Sequence, residues 1–211
     1  MRQDFNHLEV AGLACARGEK TIFAELDFTA RAAEVIHLQG RNGSGKTSLL
    51  RILCGFARPT AGLVTWNGHD IQQHQDSFFP NVGYIGHRRG VCEDLTPLEN
   101  VQFAGALTVP KPERECRDAL ARVELTHVAE TPARLLSAGQ NQRIALARLL
   151  ISSTPLWCLD EPFTALDRDG RTIIEAIIAE HAAAGGISII ATHQSMSLDT
   201  VSVQSLSLDP V

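Results

Sequence analysis

The stretch EVIHLQGRNGSGKTSLLRILCGF, residues 34–56, reads as a strand, a glycine-rich loop and a helix placed end to end. Its first part, EVIHLQG, is a continuous apolar run that stops at a glycine, as a strand buried on both faces does. Its last part, GKTSLLRILCGF, repeats apolar residues at helical spacing, with Leu49, Leu50 and Leu53 on one face and Gly55 as the stop. The loop between them fits G-x-x-x-x-G-K-[ST]: Gly40, Gly45, Lys46 and Thr47 are the fixed positions, and Arg41, Asn42, Gly43 and Ser44 fill the curl. Glycines let successive backbone N–H groups converge on phosphate oxygens, and the N-terminus of the following helix adds positive potential. Lys46 supplies a point charge to the β and γ phosphates of ATP, and the Thr47 hydroxyl is placed to ligate Mg²⁺.

Outward from this loop the chain alternates strands and helices, which implies an α/β fold with a mostly parallel sheet. HLEVAGLAC and TIFAELDFTA read as strands before it, and PTAGLVTWNGHDI contains another after it. From about Thr96 to Leu136 the texture becomes helical. TPLENVQFAGAL and PERECRDALARVEL carry apolar residues at 3–4 spacing, Cys116, Ala119, Leu120 and Val123 in the second, so this region is expected to be a helical insert. A helix from about Ala138 should end before Pro155, followed by a buried strand LWCLDE, a helix around RTIIEAIIAEH, a buried strand GGISIIATH and a weak strand-like tail. A strand running parallel and next to the phosphate-loop strand would present Asp160 at its carboxyl end, where it meets Mg²⁺ directly or one layer removed. Glu161 then lies near enough to polarise an attacking water as general base. His193 should emerge at the same edge, where ligands of α/β sheets bind. A lone histidine there reads equally as structural or as a γ-phosphate contact.

Composition narrows the setting. The chain has 211 residues, enough for one sizeable core, and a formal net charge of −5, which offers no bulk attraction to nucleic acid. Only HRRG at 87–90 is locally basic, and solvation accounts for most such clusters. No apolar run approaches the roughly 18 residues of a spanning helix. The start MRQDFNHLEV lacks the layout of a secretion signal, so the chain is expected to stay in the cytoplasm. Five scattered cysteines with no C-x-x-C pair argue for reduced, mostly buried thiols, and the eight histidines lack metal spacing, with His69 and His74 expected in solvated loops.

A second loop, LLSAGQNQRIALARLL at 135–150, remains to be explained. Ser137 can cap the helix that follows, while Ala138 and Gly139 leave the backbone bare, so this loop too is an anion site. It cannot easily fold back on its own chain's nucleotide, whose phosphates are already enclosed by residues 40–47. It can close over the nucleotide of a second copy, so that two subunits facing head to tail trap two ATP molecules, and loss of the γ phosphate reopens them.

Together these motifs resemble the ATP-binding-cassette (ABC) ATPases over nearly the whole chain. GRNGSGKT is similar to their Walker A motif, LSAGQ to their signature, LWCLDEP to Walker B, TALD at 164–167 to the D-loop and ATH to the switch histidine. The resemblance implies a P-loop NTPase with a RecA-like core, an N-terminal antiparallel β subdomain and an inserted α-helical subdomain at about 96–136, all within one ATP-binding domain over residues 1–211. It also implies nucleotide contacts from Gln140 and Asp167, and a switch role for His193. His87 takes the place of the family's glutamine that senses Mg²⁺ and the γ phosphate, and imidazole suits water or phosphate better than Mg²⁺. Arg17 takes the place of the aromatic that stacks on adenine, and its planar guanidinium can stack as well. Ala138 replaces the middle glycine of the common SGG.

Softer likenesses, in YIGH, LTPLENVQF and LDEPFTALD, point toward the ATPases of cytochrome c maturation. That resemblance implies a homodimer of ATPase subunits at the cytoplasmic face of the inner membrane, with a CcmB-like integral permease and other cytochrome c maturation proteins as partners. The implied task is haem export or release of a haem chaperone. Three rivals stand beside it: an ABC subunit for another substrate, a soluble mechanical ATPase acting on DNA or ribosomes, and a small-molecule kinase or GTPase. The last lacks an N-K-x-D motif and leaves LSAGQ unexplained.

Overall fold

A computed structural model of the chain describes residues 6–107, 109–198 and 200–208. Residues 1–5 and 209–211, the ends of the expected 1–211 domain, lie outside the described residues. The chain opens with a long hairpin, β1 (His7–Arg17) and β2 (Lys20–Arg31), and then β3 (Glu34–Gln39) leads through the glycine-rich loop into α1 (Lys46–Leu53). Next come β4 (Ala61–Trp66), β5 (His69–Asp70), a single turn α2 (Gln75–Phe78) and β6 (Val82–Ile85). Helices α3 (Pro97–Ala106), α4 (Glu113–Arg122) and α5 (Ala138–Ser152) follow. The chain closes with β7 (Leu156–Asp160), α6 (Arg168–Ala183), β8 (Ile187–Ala191) and β9 (Ser202–Ser207).

Two sheets result. Strands β2-β1-β4-β5 form an antiparallel sheet, and β6-β7-β8-β3-β9 form a five-stranded parallel one. The period-two alternation of side chains divides the parallel strands between two cores. On one face Ile36, Leu38, Leu156, Cys158, Ile187 and Ile189 meet α1 and the antiparallel sheet. On the other, Val35, Trp157, Leu159 and Ile190 join Ile144 and Leu146 of α5 and Ile174 and Ile178 of α6. Both faces are covered, which is why LWCLD and ISIIA are fully buried runs.

After β6 the described residues carry α3, α4 and two short 3-10 turns, Thr126–Val128 and Ala133–Leu135, and α3 and α4 pack on α5 through Val101, Cys116 and Leu120. The starts of α3, α5 and α6 are capped from their own sequence. Thr96 and Glu99 form a reciprocal capping box at α3, Ser137 and Gln140 another at α5, and Asp167 caps α6. Backbone and hydroxyl hydrogen bonds from Thr96 hold the Glu99 carboxyl below its ordinary range.

The structure corrects or completes the sequence reading in four places. The Asp160 strand is not next to the phosphate-loop strand, because β8 lies between β7 and β3. The distance is bridged by α1, which leaves β3 and packs across β8 and β7. Strand β6 carries no assignment in the sequence reading, since VGYI is too short to show a period. Arg89 of HRRG is not simply solvated: its Nε donates to Gln142 Oε1 at 2.6 Å. His69, expected in a loop, lies in β5, where its exposed ring faces that of His74 at 5.4 Å. The five cysteines are free, three of them buried.

At the amino edge of the parallel sheet, the ring of His181 stacks on Trp157 with centroids 3.7 Å apart. Its Nε2 lies 3.1 Å from the Thr154 carbonyl and its Nδ1 3.1 Å from Ser188 Oγ. Burial pushes its pKa down to about 4, outweighing the upward pull of the Thr154 carbonyl. The folded protein thus keeps His181 neutral, whereas the unfolded chain protonates it near its ordinary value of about 6.5. This contribution to stability is complete above that value and is lost as pH falls toward 4. It amounts to at most about 3 kcal/mol. Urea melts across this window should show stability falling with acid in the parent and falling less in His181→Gln. Equal slopes in the two proteins would remove His181 as the cause.

Candidate nucleotide site

Strand β3 ends at Gln39, and the chain curls through two residues with left-handed backbone, Gly43 at φ +84° and Gly45 at φ +101°, before α1 begins. These are values that a side chain would strain. Helix α1 starts without a side-chain cap and without an acid in its first turn, so its leading N–H groups and its dipole face the cleft uncompensated. Lys46 folds back into the loop. Its Nζ donates to the carbonyls of Gly40 at 2.6 Å and Arg41 at 3.2 Å and lies 3.3 Å from His193 Nε2. Among the described residues no carboxylate comes within 4 Å of this buried ammonium. The hydroxyl of Ser44 is likewise buried with no partner. An uncapped helix start, an unneutralised buried cation and an orphaned hydroxyl fit a phosphate group.

The acids arrive from β7. Thr47 Oγ1 donates to Asp160 Oδ2 at 2.7 Å, which sets a hydroxyl and a carboxylate oxygen side by side. Two hard oxygens of this kind suit Mg²⁺. Glu161 follows in left-handed backbone at φ +50°. Its Oε2 accepts from the buried Thr192 Oγ1 at 3.1 Å, and its Oε1 lies 3.7 Å from His193 Nε2. Thr192 is a residue that the sequence reading missed; it sits within the quoted ATH, but nothing in the pattern says that its hydroxyl steers Glu161.

The expected site residues fall into two clefts. One, of about 370 Å³, is lined by Asn42, Gly43, Gly45, Lys46 and Thr47 together with Arg17, His87, Asp160, Glu161 and His193. Gly40, Arg41 and Ser44 do not line it; the Gly40 and Arg41 carbonyls accept from Lys46, and the Ser44 amide donates to the Arg41 carbonyl. The other, of about 420 Å³, is lined by Ser137, Gly139, Gln140 and Asp167, joined by Glu124, His127, Arg143 and Ala165. The two share no residue. In the second, Ser137 Oγ accepts from the Gln140 amide at 3.1 Å, which leaves its O–H free to donate outward. Asn141, also missed, fastens this loop by donating from Nδ2 to the carbonyls of Ala133, Leu136 and Ser137.

A cleft built for nucleotide phosphates beside an acid-tipped strand, with a capped anion loop apart from both, defines a class of ATPase. Residues 23–164 match the ABC transporter family, and the chain belongs to that family, as an ATPase that couples hydrolysis to transport. The matched span takes in the phosphate loop, LSAGQ and LWCLDE, and ends before Asp167 and His193.

Within the family, the chain is 45% identical over 188 residues to the cytochrome c biogenesis ATP-binding export protein CcmA of Methylococcus capsulatus, covering 89% of this chain and 91% of that protein. It is 42% identical over 201 residues to CcmA of Escherichia coli O157:H7, covering 95% and 96%. Its fold superposes with a TM-score of 0.84 on a putative ABC transporter ATP-binding protein from Pyrococcus furiosus, at 25% identity, covering 96% and 97%.

The Thr47 to Asp160 hydrogen bond can be tested without any ligand. Asp160 is 7% exposed, so deleting its donor leaves a buried carboxylate oxygen short of a partner. Thr47→Val should lower the stability of the nucleotide-free protein by about 1–3 kcal/mol in urea melts, and Thr47→Ser should restore most of it. No loss in the valine variant would mean that the pairing carries no weight in the fold.

Proposed function

We propose that this chain is the ATP-hydrolysing subunit of a membrane complex of cytochrome c biogenesis, energising haem export or release of a haem chaperone. It acts as a head-to-tail homodimer at the cytoplasmic face of the inner membrane. The observation that carries the dimer is that the two clefts share no lining residue: one holds the phosphate loop and the acids, the other the signature serine, which a second copy can bring to the first copy's nucleotide. The similarity to CcmA proteins at 42–45% identity supports the cytochrome c reading over an ABC subunit for another cargo. Among the described residues no helix is long and apolar enough to cross a membrane, so the reading assigns the crossing to an integral permease of the CcmB kind. Residues 96–136 are taken as a helical insert within one ATP-binding domain.

The mechanism follows from the side chains. Lys46 and the amides of residues 42–47 hold the β and γ phosphates, while Thr47 and Asp160 would hold Mg²⁺, which would neutralise charge on the phosphate oxygens. Glu161, turned by Thr192, takes the proton of the attacking water. His193, already against Lys46, meets the γ phosphate, and His87 meets water or phosphate at the same end of the cleft. Arg17 stacks on the base. From the partner copy, Ser137, Gly139, Gln140 and Asp167 close over the γ phosphate. Loss of that phosphate removes the contacts and opens the pair.

Two measurements test this reading. Glu161→Gln should bind ATP, dimerise and lose about 10²–10⁴ of its turnover. Taken from solubilised membranes in that trapped state, it should bring a haem-handling integral protein with it. Normal hydrolysis would end the general-base role, and capture of a different permease would replace the cargo. Because histidine changes charge between about pH 5 and 8, His87→Gln should change the shape of the pH–rate profile over that range. A profile identical to the parent's at every pH would remove His87 from the site.

A further inference from the structure

Ser137 and Asp167 come from different segments, yet they line one cleft before any second copy is present. Two contacts on one face of α5, a helical turn apart, account for this. At Gly139, an added Cβ would stand 2.7 Å from the carbonyl oxygen of Ala165, so loop 164–167 lies directly on the backbone of the signature helix. Ala165 itself holds a left-handed backbone at φ +66°, a conformation that costs a residue with a Cβ about 1–2 kcal/mol.

One turn on, Arg143 donates from Nη2 to Asp167 Oδ1 at 3.3 Å and from Nη1 to Glu124 Oε2 at 3.2 Å. Its side chain is 14% exposed, against 73% and 63% for the two carboxylates. The guanidinium also lies on the first turn of α6, where a Cβ on Gly170 would stand 2.8 Å from Nη2. Asp167 Oδ1 meanwhile accepts from the Gly170 amide at 2.9 Å as the cap of α6. Arg143 therefore ties the signature helix, the residues after α4 and the start of α6 to one another.

We propose that Arg143 is a positioning residue: it holds loop 164–167 against the signature helix, so that Ser137 and Asp167 meet the nucleotide of a second copy as one rigid surface. The proposal rests on the head-to-tail reading above. Arginine is required because its planar fork reaches two carboxylates from one fixed position, whereas a lysine ammonium is a single point of charge. Half-exposed ion pairs of this kind add little to fold stability. The effect belongs in assembly rather than in melting.

The test uses the full-length chain with Glu161→Gln, with ATP-dependent dimerisation followed by sedimentation. Adding Arg143→Met should leave the nucleotide-free melting temperature within about 4 °C. ATP binding to the isolated chain should stay within about two-fold, while dimerisation weakens by about ten-fold or more. Arg143→Lys should fail to restore it. Asp167→Asn keeps the oxygen that caps α6 and loses the charge; it should weaken dimerisation by itself and add little on top of Arg143→Met. Should Arg143→Met not fold, Arg143→Lys in its place carries the same expectation, weaker dimerisation with ATP binding to the isolated chain unchanged. Unchanged dimerisation in Arg143→Met, full rescue by lysine, or additive losses with Asp167→Asn would each overturn the proposal while leaving the dimer intact. A Glu161→Gln parent that never dimerises with ATP would instead overturn the head-to-tail reading, and this inference with it.

Discussion

Lys46 is folded into its own loop with two carbonyl oxygens and an imidazole around its ammonium, and no carboxylate within 4 Å among the described residues. A buried charge in that state is costly unless an anion completes it. The loop cannot satisfy it internally, because the same residues supply the uncapped start of α1, whose N–H groups point the same way. Everything around the loop keeps that demand in place. Sheet and helix fix its two ends, glycines permit its curl, and Asp160 is kept off the ammonium by its bond to Thr47. Phosphate then enters a cradle whose orientation was set during folding, so little ordering remains to be done on binding.

The parallel sheet supplies the second requirement, that chemistry and anchorage occupy opposite edges. All five strands run one way, so Thr47, Asp160, Glu161 and His193 gather at the carboxyl edge. At the other edge, the stacked pair of Trp157 and His181 seals the core under α6. The position of β8 between β3 and β7 matters here. It keeps His193, at the end of β8, between the lysine from one neighbouring strand and the glutamate from the other. That is the arrangement seen, with Nε2 at 3.3 Å from Lys46 and 3.7 Å from Glu161.

How much of this a reader of the sequence can see depends on the range of the interaction involved. The phosphate loop is legible because all its parts are consecutive, and the caps at Thr96, Ser137 and Asp167 are legible because each acts on an amide three residues away. The strand order is not, because VGYI is too short to show a period and nothing local says that β8 goes in the middle. Nor is the role of Thr192 or Arg143. Each is an ordinary polar residue in sequence, and its meaning comes from partners at Glu161, Glu124 and Asp167 that only the fold brings near. The two clefts were readable as motifs and their separation as an expectation; that they share no lining residue is a fact of three dimensions.

That separation also decides what can drive assembly. Each chain carries a net charge of −5, so two copies repel weakly at long range, a force that salt screens within about 8 Å. Nothing in the bulk charge favours a dimer. On the proposed head-to-tail reading, what favours it is local: a nucleotide held by Lys46 and α1 would present negative oxygens outward, and the facing copy would present the Ser137 hydroxyl and the start of α5, shaped by its capping box and by Arg143. On that reading the attraction exists only while the terminal phosphate is present, and it acts only over contact distance. A pair built this way is open by default and closed by its substrate, the behaviour a transport motor needs if each turnover is to be spent as one stroke.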